Sequence, residues 1–141
     1  MKIARDYEGQ KVFVGIDVHK RTYAVCCVHD GTIVHKFSTK AEPIELASSI
    51  TEWFSGAEIH SVYEAGFAGL SLHRQLAQRG IQNIVVNPAS IERASNDRVK
   101  TDKIDAKKLA IQLSLGNLKP NHIPTVEEEL DRQFHRTRHQ L

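Results

Sequence analysis

The sequence predicts an α/β fold in which a mixed five-stranded sheet is covered by helices. Its first third alternates apolar and polar residues with the two-residue period of strands, and an Asp-Gly turn divides two of these segments. Further along, short apolar strands alternate with stretches that have the helical period of 3.6 residues. That order is typical of a sheet whose later strands are joined by crossover helices.

The five predicted strands are runs of β-branched and apolar residues. The turn at Asp30-Gly31 makes the second and third strands an antiparallel hairpin, because this dipeptide tolerates the positive φ angles of a tight turn. In the first strand, Val12, Val14 and Ile16 share one face. The predicted strands cover residues 11–17, 22–29, 32–38, 59–64 and 82–87.

Four helices are predicted, at residues 42–54, 70–79, 88–95 and 102–115, with a surface loop at 96–100. Thr101 is the expected N-cap of the fourth helix, and Gly116 ends it. Its buried stripe is expected to be Ala106, Leu109, Ala110 and Leu113. The apolar face of the first helix is expected to contain Leu46, Ala47, Ile50, Trp53 and Phe54.

The chain divides into four predicted segments. Residues 1–10 are a flexible N-terminus, residues 11–116 form one domain, and residues 117–125 are a linker that contains two prolines. Residues 126–141 have a thin apolar stripe that still continues at the last residue, which predicts the start of a truncated coiled-coil linker helix. The order of strands and helices in the domain matches the RNase H-like (RuvC-like) fold.

Composition sets wide limits on function. With 141 residues, 40% hydrophobic and 26% charged, the chain resembles an ordinary globular domain, and a cytoplasmic location without membrane contact is expected. The net charge of +2 permits nucleic-acid binding without arguing for it. Cys26 and Cys27 are adjacent and should point to opposite faces of a strand, which argues against a zinc or redox site.

Four carboxylates are the candidate catalytic and metal-binding residues. Asp17 and Glu64 lie at the ends of the first and fourth strands, which should be neighbours in the sheet. Asp102 and Asp105 are three residues apart and should share one face of a helix. Four negative charges in one pocket repel one another unless cations neutralise them, and oxygen ligands suit Mg²⁺ or Mn²⁺. Two such ions roughly 3.5–4 Å apart can clamp the attacking and leaving oxygens of a phosphoryl transfer.

Each carboxylate alone has a simpler explanation. An aspartate at a strand end is usually a turn residue, and one near a helix N-terminus usually interacts with the helix dipole. Their occurrence together, on the right elements and in the right order, favours a metal site.

Basic residues surround the second pair of acids. They either bind phosphates beside the metal ions or form a solvated helix face, and the sequence leaves both open. Lys20, next to the first acid motif, either approaches a phosphate or lies on the surface of a hairpin, and His19 is interpreted as structural. The other candidate phosphate-binding residues are Arg93, Arg98, Lys100, Lys103 and Lys107.

These motifs resemble the N-terminal blocks of the Piv-like DEDD transposases and DNA invertases, a family of insertion-sequence recombinases. The similarity runs from about residue 11 to 116 and extends weakly into the tail. The most specific block is the one that contains Asp102 and Asp105. The blocks are Gly15-Ile16-Asp17-Val18-His19-Lys20, Tyr63-Glu64-Ala65, Val86-Asn87-Pro88 and Lys100-Thr101-Asp102-Lys103-Ile104-Asp105-Ala106.

The resemblance implies a RuvC-like domain whose four acids bind catalytic Mg²⁺ and act in DNA strand cleavage and joining at element ends. It also implies homo-oligomers through the helical linker and, in some members, a structured guide RNA. The family has a further C-terminal domain with a nucleophilic serine, so these 141 residues are expected to be incomplete for recombination.

Two alternatives stay open at this point. An actin-like ATP-binding domain has a related sheet, and Gly15-Ile16-Asp17 with Asp30-Gly31-Thr32 is faintly similar to its phosphate-binding hairpins. A non-catalytic assembly domain would use residues 126–141 as its functional part.

Overall fold

The computed structural model describes residues 7–66, 69–87 and 105–123. Within these ranges the strands are β1 (Lys11–Val18), β2 (Thr22–His29), β3 (Thr32–Lys40), β4 (Glu58–Glu64) and β5 (Gln82–Val86). The helices in the same ranges are α1 (Pro43–Trp53), α2 (Ser71–Gln78) and α3 (Ala106–Ser114). The helix predicted at 88–95, the loop at 96–100 and the terminal helix at 126–141 lie outside the described residues.

The strands form one mixed sheet in the order β3-β2-β1-β4-β5. β1 pairs antiparallel with β2 and parallel with β4, and β4 in turn pairs parallel with β5. Asp30 and Gly31 have φ angles of 49° and 74°, as a two-residue hairpin turn between β2 and β3 requires. The predicted α/β class and RNase H-like strand order are therefore confirmed.

One face of the sheet is covered by α1 and α2. Val12, Val14 and Ile16 of β1 point to this face and pack against Leu46 of α1 and Leu76 of α2. All five side chains are fully buried. This is the larger part of the core, and it uses the β1 residues that the alternating pattern assigned to one face.

The opposite face is covered by α3. Ala106, Leu109 and Ala110 of α3 are buried there, against Cys26 of β2 and Val62 of β4. The predicted stripe on this helix is correct for these three residues. Cys26 and Cys27 point to opposite faces, as expected, and burial raises the pKa of both thiols.

The expectation that Trp53 belongs to the core is wrong. Its side chain is 37% exposed, and its ring lies 3.8 Å from the ring of His35 on the edge strand β3. α1 ends at Trp53, and Phe54, only 2% exposed, enters the core in its place. Phe54 follows the last helical residue with non-helical backbone angles of φ −123° and ψ 50°, so a pattern that treats both residues as helical does not predict where the two rings lie.

The predicted start of the last helix is also wrong. α3 begins at Ala106, and Asp105 precedes it with extended backbone angles of φ −116° and ψ 174°. The Asp105 Oδ1 atom accepts a hydrogen bond of 2.9 Å from the Lys108 N–H, so Asp105, and not Thr101, is the N-cap. Asp105 therefore lies outside the helix and does not share a helical face with Asp102 as predicted, and Asp102 lies outside the described residues.

A buried hydrogen-bond chain connects the sheet to α2. Ser61 Oγ donates to Asn83 Oδ1 over 2.7 Å, and Asn83 Nδ2 donates to His73 Nδ1 over 2.8 Å. The Tyr63 hydroxyl donates to the Gly69 carbonyl and accepts from the His73 N–H. Burial, helped by the charge of the neighbouring arginine, lowers the pKa of His73, which favours the neutral ring that this acceptor role needs.

Candidate active site

Asp17 and Glu64 lie at the same end of two adjacent parallel strands. The register pairs Ile16 with Tyr63, so the next residue on each strand is one of the two acids. Each points to the face that carries α3, since strand residues alternate and the preceding pair faces α1 and α2. Burial, and secondarily the charge of Asp17, raises the pKa of Glu64. The two carboxylates are therefore close enough to repel each other.

Gly15 allows α3 to lie directly on β1. A Cβ atom at this position would be 2.0 Å from the Ala106 carbonyl oxygen and 2.6 Å from the Ala110 nitrogen, which are both backbone atoms. Any larger residue would therefore displace the helix. From the sequence, Gly15 was recognised only as part of a motif, although a glycine in the middle of a buried strand is a signal of close backbone approach.

The close approach brings Asp105 to the first acid. Asp17 and Asp105 line one open cavity of about 310 Å³, at the N-terminus of α3. Its remaining wall is formed by β2, β3 and the first turn of α3. These other lining residues are Ala24, Val25, Lys36, Phe37, Ser38, Ala106 and Lys107.

Two of these carboxylates are already hydrogen-bonded. His19 Nε2 lies 3.1 Å from Asp17 Oδ2, and the Asp17 side chain is only 20% exposed. Asp105 Oδ1 accepts from the backbone of α3, as described above. His19 was interpreted as structural from the sequence, but its contact gives it a part in orienting the Asp17 carboxylate. The two-residue spacing of His19 from Asp17 on an extended chain was the available signal.

The candidate phosphate-binding residues are divided by the structure. Lys107 lines the acidic cavity, whereas Lys20 lines a separate depression of about 280 Å³ together with residues of α2. Lys36 also lines the acidic cavity, and no motif in the sequence marked it as a candidate. The other basic candidates lie outside the described residues, and so does the carboxylate Asp102. These basic candidates are Arg93, Arg98, Lys100 and Lys103.

Among the residues that the structure describes, no three potential ligands gather closely enough to hold a metal ion. Asp17 is instead the common member of two pairs, with Glu64 on one side and Asp105 on the other. In the same ranges, no helix has both the length and the apolar character needed to span a bilayer.

The strand order and the acidic cavity together define an RNase H-like domain with a polar site at one end of its sheet. Comparison with known families is more specific, because residues 14–141 match the model of the transposase family DEDD_Tnp_IS110. The chain belongs to this family, which confirms the resemblance to DEDD recombinases.

Individual relatives agree with this assignment. The chain is 34% identical over 139 residues to the transposase for insertion sequence element IS1533 of Leptospira borgpetersenii, with 94% of this chain and 39% of that protein covered. It is 32% identical over 133 residues to y4qE of Sinorhizobium fredii, named as a candidate transposase, with 92% and 34% covered. The chain thus spans about two fifths or less of the length of these relatives.

Among solved structures, the ethanolamine utilization protein EutJ from Carboxydothermus hydrogenoformans is similar with a TM-score of 0.43 and 14% identity. The similarity covers 61% of this chain and 40% of that one.

Proposed function

We propose that this chain is the catalytic part of a DNA transposase, which cleaves and joins DNA strands at insertion-sequence ends by metal-dependent phosphoryl transfer. The observation that carries the proposal is the single cavity lined by Asp17 and Asp105 in a chain that belongs to a transposase family. These residues come from distant parts of the sequence, and neither is needed to fill the core.

The proposed metal ligands are Asp17, Glu64, Asp102 and Asp105, and the proposed ions are two Mg²⁺ or Mn²⁺. The donor chemistry fits, because carboxylate oxygens are the ligands that these hard cations prefer. Bound ions would neutralise charge that develops on a reacting phosphate and clamp its attacking and leaving oxygens.

The chain's own residues prepare the carboxylates for this task. His19 contacts Asp17 Oδ2 and the Lys108 N–H donates to Asp105 Oδ1, so the other oxygen of each carboxylate is the one proposed to bind a cation. Gly15 fixes the distance between β1 and α3, and therefore the width of the cavity between the two acids. These contacts reduce the conformational freedom that the side chains would lose on binding a cation.

Calorimetric titration of the 141-residue chain with Mn²⁺, together with thermal unfolding, tests the proposal. At a Mn²⁺ concentration one hundred times the Kd, we expect stabilisation of about 2.7 kcal/mol. Asp17→Asn should abolish this response. Asp30→Asn is the matched control, because Asp30 is an exposed residue of the hairpin turn whose positive φ asparagine also tolerates.

Equal binding of Mn²⁺ and equal stabilisation by it in the wild type and in Asp17→Asn would contradict the proposed metal site. Tight ATP binding would support the actin-like alternative. A dimer that dissociates when residues 126–141 are deleted, without any response to metal, would support an assembly domain. Oligomerisation through those residues and a structured guide RNA remain predictions from the family resemblance.

A further inference from the structure

The edge strand β3 presents three exposed polar residues on the same side of the sheet as the acidic cavity. Lys36, Ser38 and Lys40 alternate along β3, and the register pairs Lys36 with Cys26, which faces α3. We refer to these three residues as the β3 ridge. Lys36 and Ser38 line the acidic cavity itself, and Lys40 continues the row.

The β3 ridge ends beside the carboxylates. β3 runs in the same direction as β1, because both are antiparallel to β2. Lys40, at the end of β3, therefore lies toward the sheet end that carries Asp17. The sheet places β3 about 10 Å from β1, which is twice the usual spacing of neighbouring strands.

Neither packing nor ion pairing accounts for the presence of Lys36 and Lys40 on this face. Both are exposed, and neither forms a salt bridge within residues 7–66, 69–87 and 105–123. Lysines on an edge strand also discourage pairing with another sheet. That role needs no particular face, however, and it does not explain why Lys36 lines the same cavity as two acids.

We propose that Lys36 and Lys40, with the Ser38 hydroxyl between them, bind the phosphate backbone of the DNA strand that flanks the reacting phosphate. This inference rests on the proposed function, and it adds a path for the strand, from the acidic cavity over β2 to β3. The positive ridge complements phosphate charge, and the serine can donate a hydrogen bond to a phosphate oxygen.

The test is fluorescence anisotropy with a labelled 30-nucleotide single-stranded DNA, in EDTA, at several salt concentrations. For Lys36→Ala and for Lys40→Ala we expect Kd to rise about threefold and the salt slope to fall by about 0.7, the value for one lost phosphate contact on a single strand. Lys11→Ala is the matched control. Lys11 lies at the opposite end of β1 beside the exposed Glu58 and carries the same charge.

Equal losses in all three variants, or no loss in any, would overturn the proposal. Lys36→Arg should retain the wild-type affinity, and unchanged denaturation midpoints should show that every variant folds.

The two proposals fail separately. If Lys36→Ala weakens DNA binding while neither the wild type nor any variant is stabilised by Mn²⁺, the proposed role of the β3 ridge is supported and the proposed metal site is contradicted. If only Asp17→Asn loses stabilisation by Mn²⁺ and Lys36→Ala binds DNA with wild-type affinity, the metal site is supported and the proposed role of the β3 ridge is contradicted.

Discussion

The two faces of the sheet differ in how they are held together. The face under α1 and α2 has a wide apolar core and a closed hydrogen-bond chain from Ser61 through Asn83 to His73. The face under α3 has a thinner apolar layer, a helix seated on a glycine, and acids and lysines at its end. The α3 face therefore depends on the close fit of a helix at Gly15, whereas the opposite face depends on apolar burial and buried hydrogen bonds.

The largest expected effect is at the contact between β1 and α3. Gly15→Ala should lower the free energy of unfolding by about 3 kcal/mol, because the new methyl group meets backbone atoms that cannot rotate away. Chemical denaturation measures this loss. Gly66→Ala is the control, since a Cβ there has no neighbour closer than 4.0 Å. Similar losses in both variants would contradict the close seating of α3.

A smaller effect is expected on the opposite face. Asn83→Ala leaves the Ser61 hydroxyl and the His73 ring without their partner, and this should lower the free energy of unfolding by about 1–3 kcal/mol. The exposed neighbour Gln82 provides the control, because Gln82→Ala should change stability by less than about 0.5 kcal/mol. Asn83→Ala should keep the wild-type stabilisation by Mn²⁺, because Asn83 lies on the face opposite the proposed metal site. Loss of that stabilisation would show that the two faces of the sheet are energetically coupled.

The smallest effect compares two glutamates on one face of β4. The pKa of Glu64 is raised, so the folded state binds its proton more tightly, and stability falls as pH rises above about 4.5 through the higher folded pKa. The pKa of Glu58 is lowered, first by its hydrogen bond from His60, so that its contribution is present above about 4.5 and lost as pH falls.

At neutral pH without metal, Glu64→Gln should therefore stabilise the chain slightly, and Glu58→Gln should not. Urea denaturation at pH 7 in EDTA measures both. A loss of stability in Glu64→Gln would mean that the carboxylate has a favourable partner, and the contrast between the two strand ends would disappear.

Much of the fold was predictable because local patterns specify it. The alternating pattern of β1 correctly placed Val14 and Gly15 on opposite faces of the sheet. The Asp-Gly turn specified the hairpin, and β2 was predicted with its observed limits. The helix ends were less predictable. Phe54 lies just after α1 and Asp105 just before α3, and both were predicted to be helical.

The sequence by itself determined where the strands and the β2–β3 hairpin lie, because hydrophobic periodicity and turn chemistry act between near neighbours in the chain. The strand order was predicted by matching the order of these elements to a known fold. Only the tertiary structure decided that α3 lies against Gly15, that Asp105 caps this helix beside Asp17, and that Lys36 lines the same cavity. These relations join residues that are distant in sequence. They follow from how closely a helix can approach a strand, and no local pattern records that distance.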